Sequence, residues 1–128
     1  MDAKNAALAY RQASFENAPP IKIVRMLYDG AIRYIDRAES MLVAGGQPAW
    51  ATWIARADAI VEELALALDP AHDPAQCAEL TRLYLFVQER LARAVQEKDP
   101  ERLREARRVL VTLSEGWARV ELEARQAG

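Results

Sequence analysis

The chain has one cysteine, one histidine and five glycines among its 128 residues, and only 7% of it is aromatic. A lone Cys77 can form no intramolecular disulfide, which fits a reducing compartment. The lone His72 lies in the turn sequence Asp69-Pro70-Ala71-His72-Asp73-Pro74, away from any helical stripe. That excludes a phosphotransfer bundle, which needs a histidine on a helix, and a di-iron bundle, which needs paired Glu-x-x-His motifs. No run of about 18–20 apolar residues is present to span a membrane, and the start lacks the basic-then-apolar pattern of a secretory signal. The cytoplasm is therefore the expected compartment. Neither sign of charge dominates either: 17 Lys and Arg stand against 19 Asp and Glu, a formal net charge of −2. A chain so balanced lacks the basic footprint of a nucleic-acid or anionic-membrane binder, and a protein partner fits better.

What the chain does have is helix-forming material. Hydrophobic residues make up 52% of it, many of them Ala and Leu, without β-branched runs bounded by turns. One domain of this length buries a core without disulfides or metal. Pro20 suits a first helical position, and beyond it Ile23, Val24, Leu27, Ala31, Ile35, Ala38 and Leu42 recur at spacings of three and four. Tyr28 and Gly30 flank that stripe, and helix formation alone gives no reason for the sequence Leu27-Tyr28-Asp29-Gly30.

Three breaks follow. Ala44-Gly45-Gly46-Gln47-Pro48 ends the first helix and starts a second, with Trp50, Trp53, Ile54, Ala57, Ile60, Val61, Leu64 and Leu68 on its apolar face. Asp73 and Gln76 form a capping-box pair before a third helix carrying Leu80, Tyr84, Val87, Leu91 and Val95. Asp99-Pro100-Glu101 is a cap, a first-turn proline and an acid at the positive helix end. It opens a fourth helix with the stripe Leu103, Ala106, Leu110, Leu113, Trp117, Val120 and Ala124. Short connections make successive helices antiparallel neighbours. The expected fold is all-α, an antiparallel up-down four-helix bundle over residues 19–128, preceded by a mobile arm or short cap helix over residues 1–18.

No catalytic, cofactor or metal constellation emerges. Glu62 and Glu63 are consecutive on a helix and point apart, so they cannot share a proton. Cys77 has no histidine nearby in sequence to activate it and reads as a small apolar group. Arg102, Arg104, Arg107 and Arg108 are interleaved with Glu101 and Glu105, the pattern of a solvated helix face. The apolar residues Ile21, Met26, Ile32 and Tyr34, then Leu83, Leu85 and Phe86, then Val109 and Val111, exceed one core stripe per helix. They widen the core or line a groove for an amphipathic partner segment, and Trp50 and Trp53 divide in the same way between packing at the bundle end and an interface. Two other classes remain open: a small helical enzyme with an arginine-lined pocket, and a structural homodimer that pairs its extra apolar face.

The order Tyr10, Ala18, Pro20, Ile23, Met26-Leu27-Tyr28-Asp29-Gly30 resembles the signature of the flagellin-specific export chaperones, the FliS family. The likeness continues through Ala57-Asp58-Ala59-Ile60-Val61-Glu62-Glu63-Leu64 with Leu68, Tyr84-Leu85-Phe86 with Arg90, Leu91, Ala94 and Asp99, and Trp117. Asn17 and Pro19 stand where the family often has Thr, and Arg25 where an apolar residue is usual. The resemblance implies a non-enzymatic cytoplasmic chaperone, without cofactor, that covers the disordered carboxy-terminal segment of flagellin, prevents premature polymerisation and aids flagellar type III secretion. It also implies an amino-terminal arm over part of the binding surface. The candidate partner-binding residues are Leu8, Tyr10, Ile54, Val61, Leu83 and Phe86. The export machinery or a flagellar regulator is a further candidate partner, nucleic acid and membrane insertion are not expected, and the free chain is expected to be a monomer or weak homodimer.

Overall fold

The computed structural model describes residues 21–45, 49–71 and 73–127, the side chains at 121, 124, 125 and 127 apart. Four helices make up the described chain: α1 (Ile21–Val43), α2 (Ala49–Leu66), α3 (Pro74–Glu97) and α4 (Pro100–Ala127). Each packs on its sequence neighbours, and α4 closes back on α1, so the four form a bundle. The helix-one start signals, the Pro48 helix start and His72 lie outside the described residues.

Local chemistry explains the ends that are described. Gly45 adopts a positive φ of 70°, and its N–H donates to the Leu42 carbonyl, closing α1 with the left-handed residue that glycine supplies without strain. Asp73 caps α3 by accepting from the Gln76 N–H at 3.2 Å. Only this half of the expected capping box forms, because the buried Gln76 Oε1 bonds to nothing. α3 then stops at Lys98 in a left-handed turn, and Asp99 Oδ1 accepts from the Glu101 N–H at 2.9 Å to start α4. Two residues therefore suffice to reverse the chain.

The core takes most of each predicted stripe, with instructive exceptions. Ile23 and Val95 were expected inside and are exposed, one residue short of the buried Val24 and one past the buried Ala94. A helix advances 100° per residue, so a one-position error in reading its face turns a core residue outward. Tyr28, expected at the edge of the α1 stripe, is fully buried at the centre of the bundle. Leu113 and Trp53 are half-buried, packed on the core rather than within it.

Candidate functional site

The Leu-Tyr-Asp-Gly sequence of α1 is explained by three separate contacts. The Tyr28 hydroxyl meets the Tyr84 hydroxyl of α3 at 2.5 Å and also accepts from Trp117 of α4. Its ring centroid lies 6.3 Å from each of those two rings, so one residue ties α1 to α3 and α4. Burial pushes the Tyr28 hydroxyl pKa well above its ordinary value, and the neighbouring Tyr84 adds to that. Asp29 turns toward α4, where Ser114 Oγ donates to its Oδ1 at 3.4 Å. Gly30 turns toward α2, where a Cβ would sit 3.4 Å from Ile60 Cδ1. The motif is thus a structural knot, each residue addressing a different neighbour.

Charged residues lie outside the core: among the described residues none is buried as a whole. Arg104 bonds Glu39 at 2.6 Å and Arg107 bonds Asp36 at 2.7 Å, so two members of the basic run cross from α4 to α1. Arg102 lies 2.6 Å from Glu105 on its own helix and also reaches Asp99 at 3.4 Å and Glu97 at the end of α3 at 3.8 Å. Sequence pattern placed these residues on a solvated face and missed the crossings, because their partners lie 65 and 71 residues away. The converging buried arginines that would mark an enzyme pocket are not found among the described residues. Cys77 is buried, its thiol donating to the Asp69 carbonyl at 3.2 Å; burial, with Asp69 and Asp73 nearby, holds it protonated by raising its pKa. Among the described residues no group of His, Cys, Asp and Glu is arranged to hold a metal ion.

The six residues expected to touch a partner fall into three groups. Leu8 and Tyr10 lie outside the described residues. Ile54 and Val61, at 3% and 0% exposure, belong to the core cluster and present no surface to a docked segment while the helices stand as they do. Both sit on the inward side of α2, and sequence spacing alone does not separate an inward stripe from a groove beside it. Leu83 is half-buried and Phe86 is 38% exposed, on the flank of α3. Arg90 lies over the Phe86 ring at 5.1 Å and reaches Glu105 of α4, which places Phe86 on the α4-facing side. Leu85, at 60% exposure, is turned about 100° away from Phe86 around α3, toward the side where Gln88 bonds Glu62 of α2 at 2.9 Å. Met26, also at 60%, and Ile23 form a second exposed apolar pair on the first turns of α1.

One cluster was not assembled by sequence reasoning, which noted Tyr34 and Trp53 only separately. Tyr34 of α1 stacks on Trp53 of α2 at 5.5 Å with 26° between the ring planes, and the guanidinium groups of Arg37 and Arg56 lie 4.8 and 4.7 Å from the Trp53 centroid. The only signal was a pair of one-turn spacings, Tyr34 to Arg37 and Trp53 to Arg56, and nothing in one dimension shows that the two pairs meet.

The described residues form a four-helix bundle with apolar surface beyond its core. The chain belongs to the family of the flagellar protein FliS, whose sequence profile matches residues 3–124. That is a family of flagellar export chaperones rather than of enzymes, with flagellin as its partner in general. No curated protein sequence matches the chain. No helix among the described residues is long and apolar enough to cross a membrane.

Proposed function

We propose that the chain holds the disordered carboxy-terminal segment of flagellin in the cytoplasm and keeps it from polymerising before export. The observation that carries this reading is the apolar surface of α3, where Leu83 and Phe86 lie outside the core stripe on a protein of a flagellar chaperone family. An amphipathic segment folding onto that surface buries its own apolar face, and the ordering it undergoes lowers net affinity, which suits a complex that must be released. Residues 1–18 act as a displaceable cover, with Leu8 and Tyr10 as its contacts, and residues 19–128 as the bundle. Of the expected contacts, Leu83 and Phe86 serve the docked segment directly, while Ile54 and Val61 support the helix beneath it.

The test is co-purification with flagellin from the same organism and with flagellin truncated at its carboxy terminus. Capture of the intact chain alone is expected, and equal capture of both overturns the proposed mode. Tyr10→Ala is expected to change flagellin affinity while leaving thermal stability unaltered; a large fall in Tm would assign Tyr10 to the core instead. Light scattering of the free chain, expected to give a monomer or weak dimer, tests whether the apolar surface pairs with itself.

A further inference from the structure

Two groups of arginines among the described residues differ in their partners. From Arg82 to Arg108, every one reaches a carboxylate, at distances from 2.6 Å for Arg82–Glu79 to 3.5 Å for Arg108–Glu101. Arg37 of α1 and Arg56 of α2 behave differently. Both are exposed, both lie over the Trp53 ring, and among the described residues neither is ion-paired. Their own helices give them no acid to reach: the positions three and four away hold Arg33, Tyr34, Ser40 and Met41 around Arg37, and Thr52, Trp53, Ala59 and Ile60 around Arg56. Arg33, exposed one turn before Arg37, adds a third positive charge, and the acids within its reach, Asp29 and Asp36, are engaged by Ser114 and Arg107.

A guanidinium stacked on an aromatic face is held in one orientation and keeps the N–H groups of its edge available to a carboxylate. Here two such groups converge on one ring, so their repulsion is relieved by an anion placed between or beside them. Trp53 and Tyr34 are only half-buried and offer apolar surface next to the charges. We propose that the α1–α2 face around Trp53 is a docking site for an acidic segment of a partner protein, with carboxylates on Arg37 and Arg56 and a neighbouring apolar side chain on the Tyr34–Trp53 stack.

Charge selects this occupant. The chain's own residues 1–20 carry Asp2 and Glu16 against Lys4 and Arg11, so they bring no net acid to the patch. The overall charge of −2 opposes a long polyanion such as nucleic acid, whereas a protein segment presents a few carboxylates and an apolar side chain together. The face also lies across the bundle from the α4-facing flank of α3, so it can be occupied whether or not flagellin is bound, and it stands independently of that reading.

The full-length chain is titrated with a labelled, tryptophan-free peptide of Glu and Leu, with its Gln-for-Glu counterpart, and with a single-stranded oligonucleotide of equal charge, following anisotropy at low and high salt. Salt-sensitive binding of the acidic peptide is expected. Arg37→Gln/Arg56→Gln is expected to weaken it by about tenfold or more, since charge-assisted bonds are lost at both ends. The control Arg82→Gln/Arg93→Gln, on α3, is expected to leave it unchanged. Arg37→Lys/Arg56→Lys keeps the charge but loses the planar stack, and an intermediate loss is expected; this variant decides the matter if the Gln pair proves unfolded in a melt. Equal binding of the Gln peptide, equal loss in the control variant, or tighter binding of the oligonucleotide overturns the proposal, as does self-association in light scattering that the Arg37/Arg56 substitutions abolish.

Discussion

The hydroxyl of Tyr28 on α1 meets that of Tyr84 on α3 across the centre of the bundle, 56 residues apart in sequence, with Trp117 of α4 donating to Tyr28 as well. Three helices are thereby joined at one polar point in an otherwise apolar core. Tyr28→Phe removes the group on which the other two converge and is expected to lower stability by about 1–3 kcal/mol, the usual cost of disturbing a buried hydrogen bond. The double variant Tyr28→Phe/Tyr84→Phe is expected to cost less than the sum of the single changes, because the two hydroxyls act on each other. Denaturant unfolding of the four proteins measures both.

The same tyrosine sets an alkaline limit. Burial raises the Tyr28 pKa in the folded chain well above 10.0, whereas the unfolded chain has no such barrier to ionisation. The unfolded state thus releases its proton first, and the stability contributed by neutral Tyr28 is complete below about pH 10 and lost as pH rises beyond it. Unfolding free energy is expected to fall by up to about 1.4 kcal/mol per pH unit from this group above that point. Tyr28→Phe is expected to flatten that limb of the stability curve.

Gly30 occupies a helix interior, where glycine costs up to about 1 kcal/mol relative to alanine. A Cβ there meets the flexible ends of Ile60 at 3.4 Å and Arg33 at 4.0 Å, both ordinary contact distances. Gly30→Ala is therefore expected to raise stability by about 0.5–1 kcal/mol. Gly30→Leu, with no room against α2, is expected to lower it. Thermal melts of the two variants give opposite shifts if the contact is as described.

The pairs Arg104–Glu39 and Arg107–Asp36 join α4 to α1 from partly exposed positions. Asp36→Asn and Glu39→Gln are each expected to cost no more than about 1 kcal/mol at low salt and close to nothing near 1 M salt, where screening shortens the reach of charge to about 3 Å. Stability measured against salt concentration separates this from a loss of shape.

Core and surface contacts are distinguishable by what they cost. Ile54→Ala opens a cavity in a full core and is expected to destabilise by about 2–5 kcal/mol, so any loss of partner binding should follow unfolding. Phe86→Ala removes a partly exposed ring and is expected to weaken flagellin capture with little change in Tm. Melts run beside pull-downs on both variants decide which residues touch the partner.

Helix number, family and the helix ends at Gly45, Asp73 and Asp99 were legible in one dimension. Proline, glycine and Asp73 or Asp99 act on their own backbone within a few residues, and a repeat of three and four needs no partner to be recognised. The inward stripe was legible for most residues and failed at Ile23, Val95 and Tyr28, where one position of rotation separates core from surface. The candidate site was less legible: Ile54 and Val61 share the helical spacing of a groove, and only burial distinguishes them from Leu83 and Phe86. What the fold alone decided is everything that depends on two helices meeting. The meaning of Tyr28-Asp29-Gly30, the crossings from α4 to Asp36 and Glu39, and the Trp53 cluster all join residues from different helices. Such distances are set when four apolar stripes close on one core, and no property of a single segment contains them.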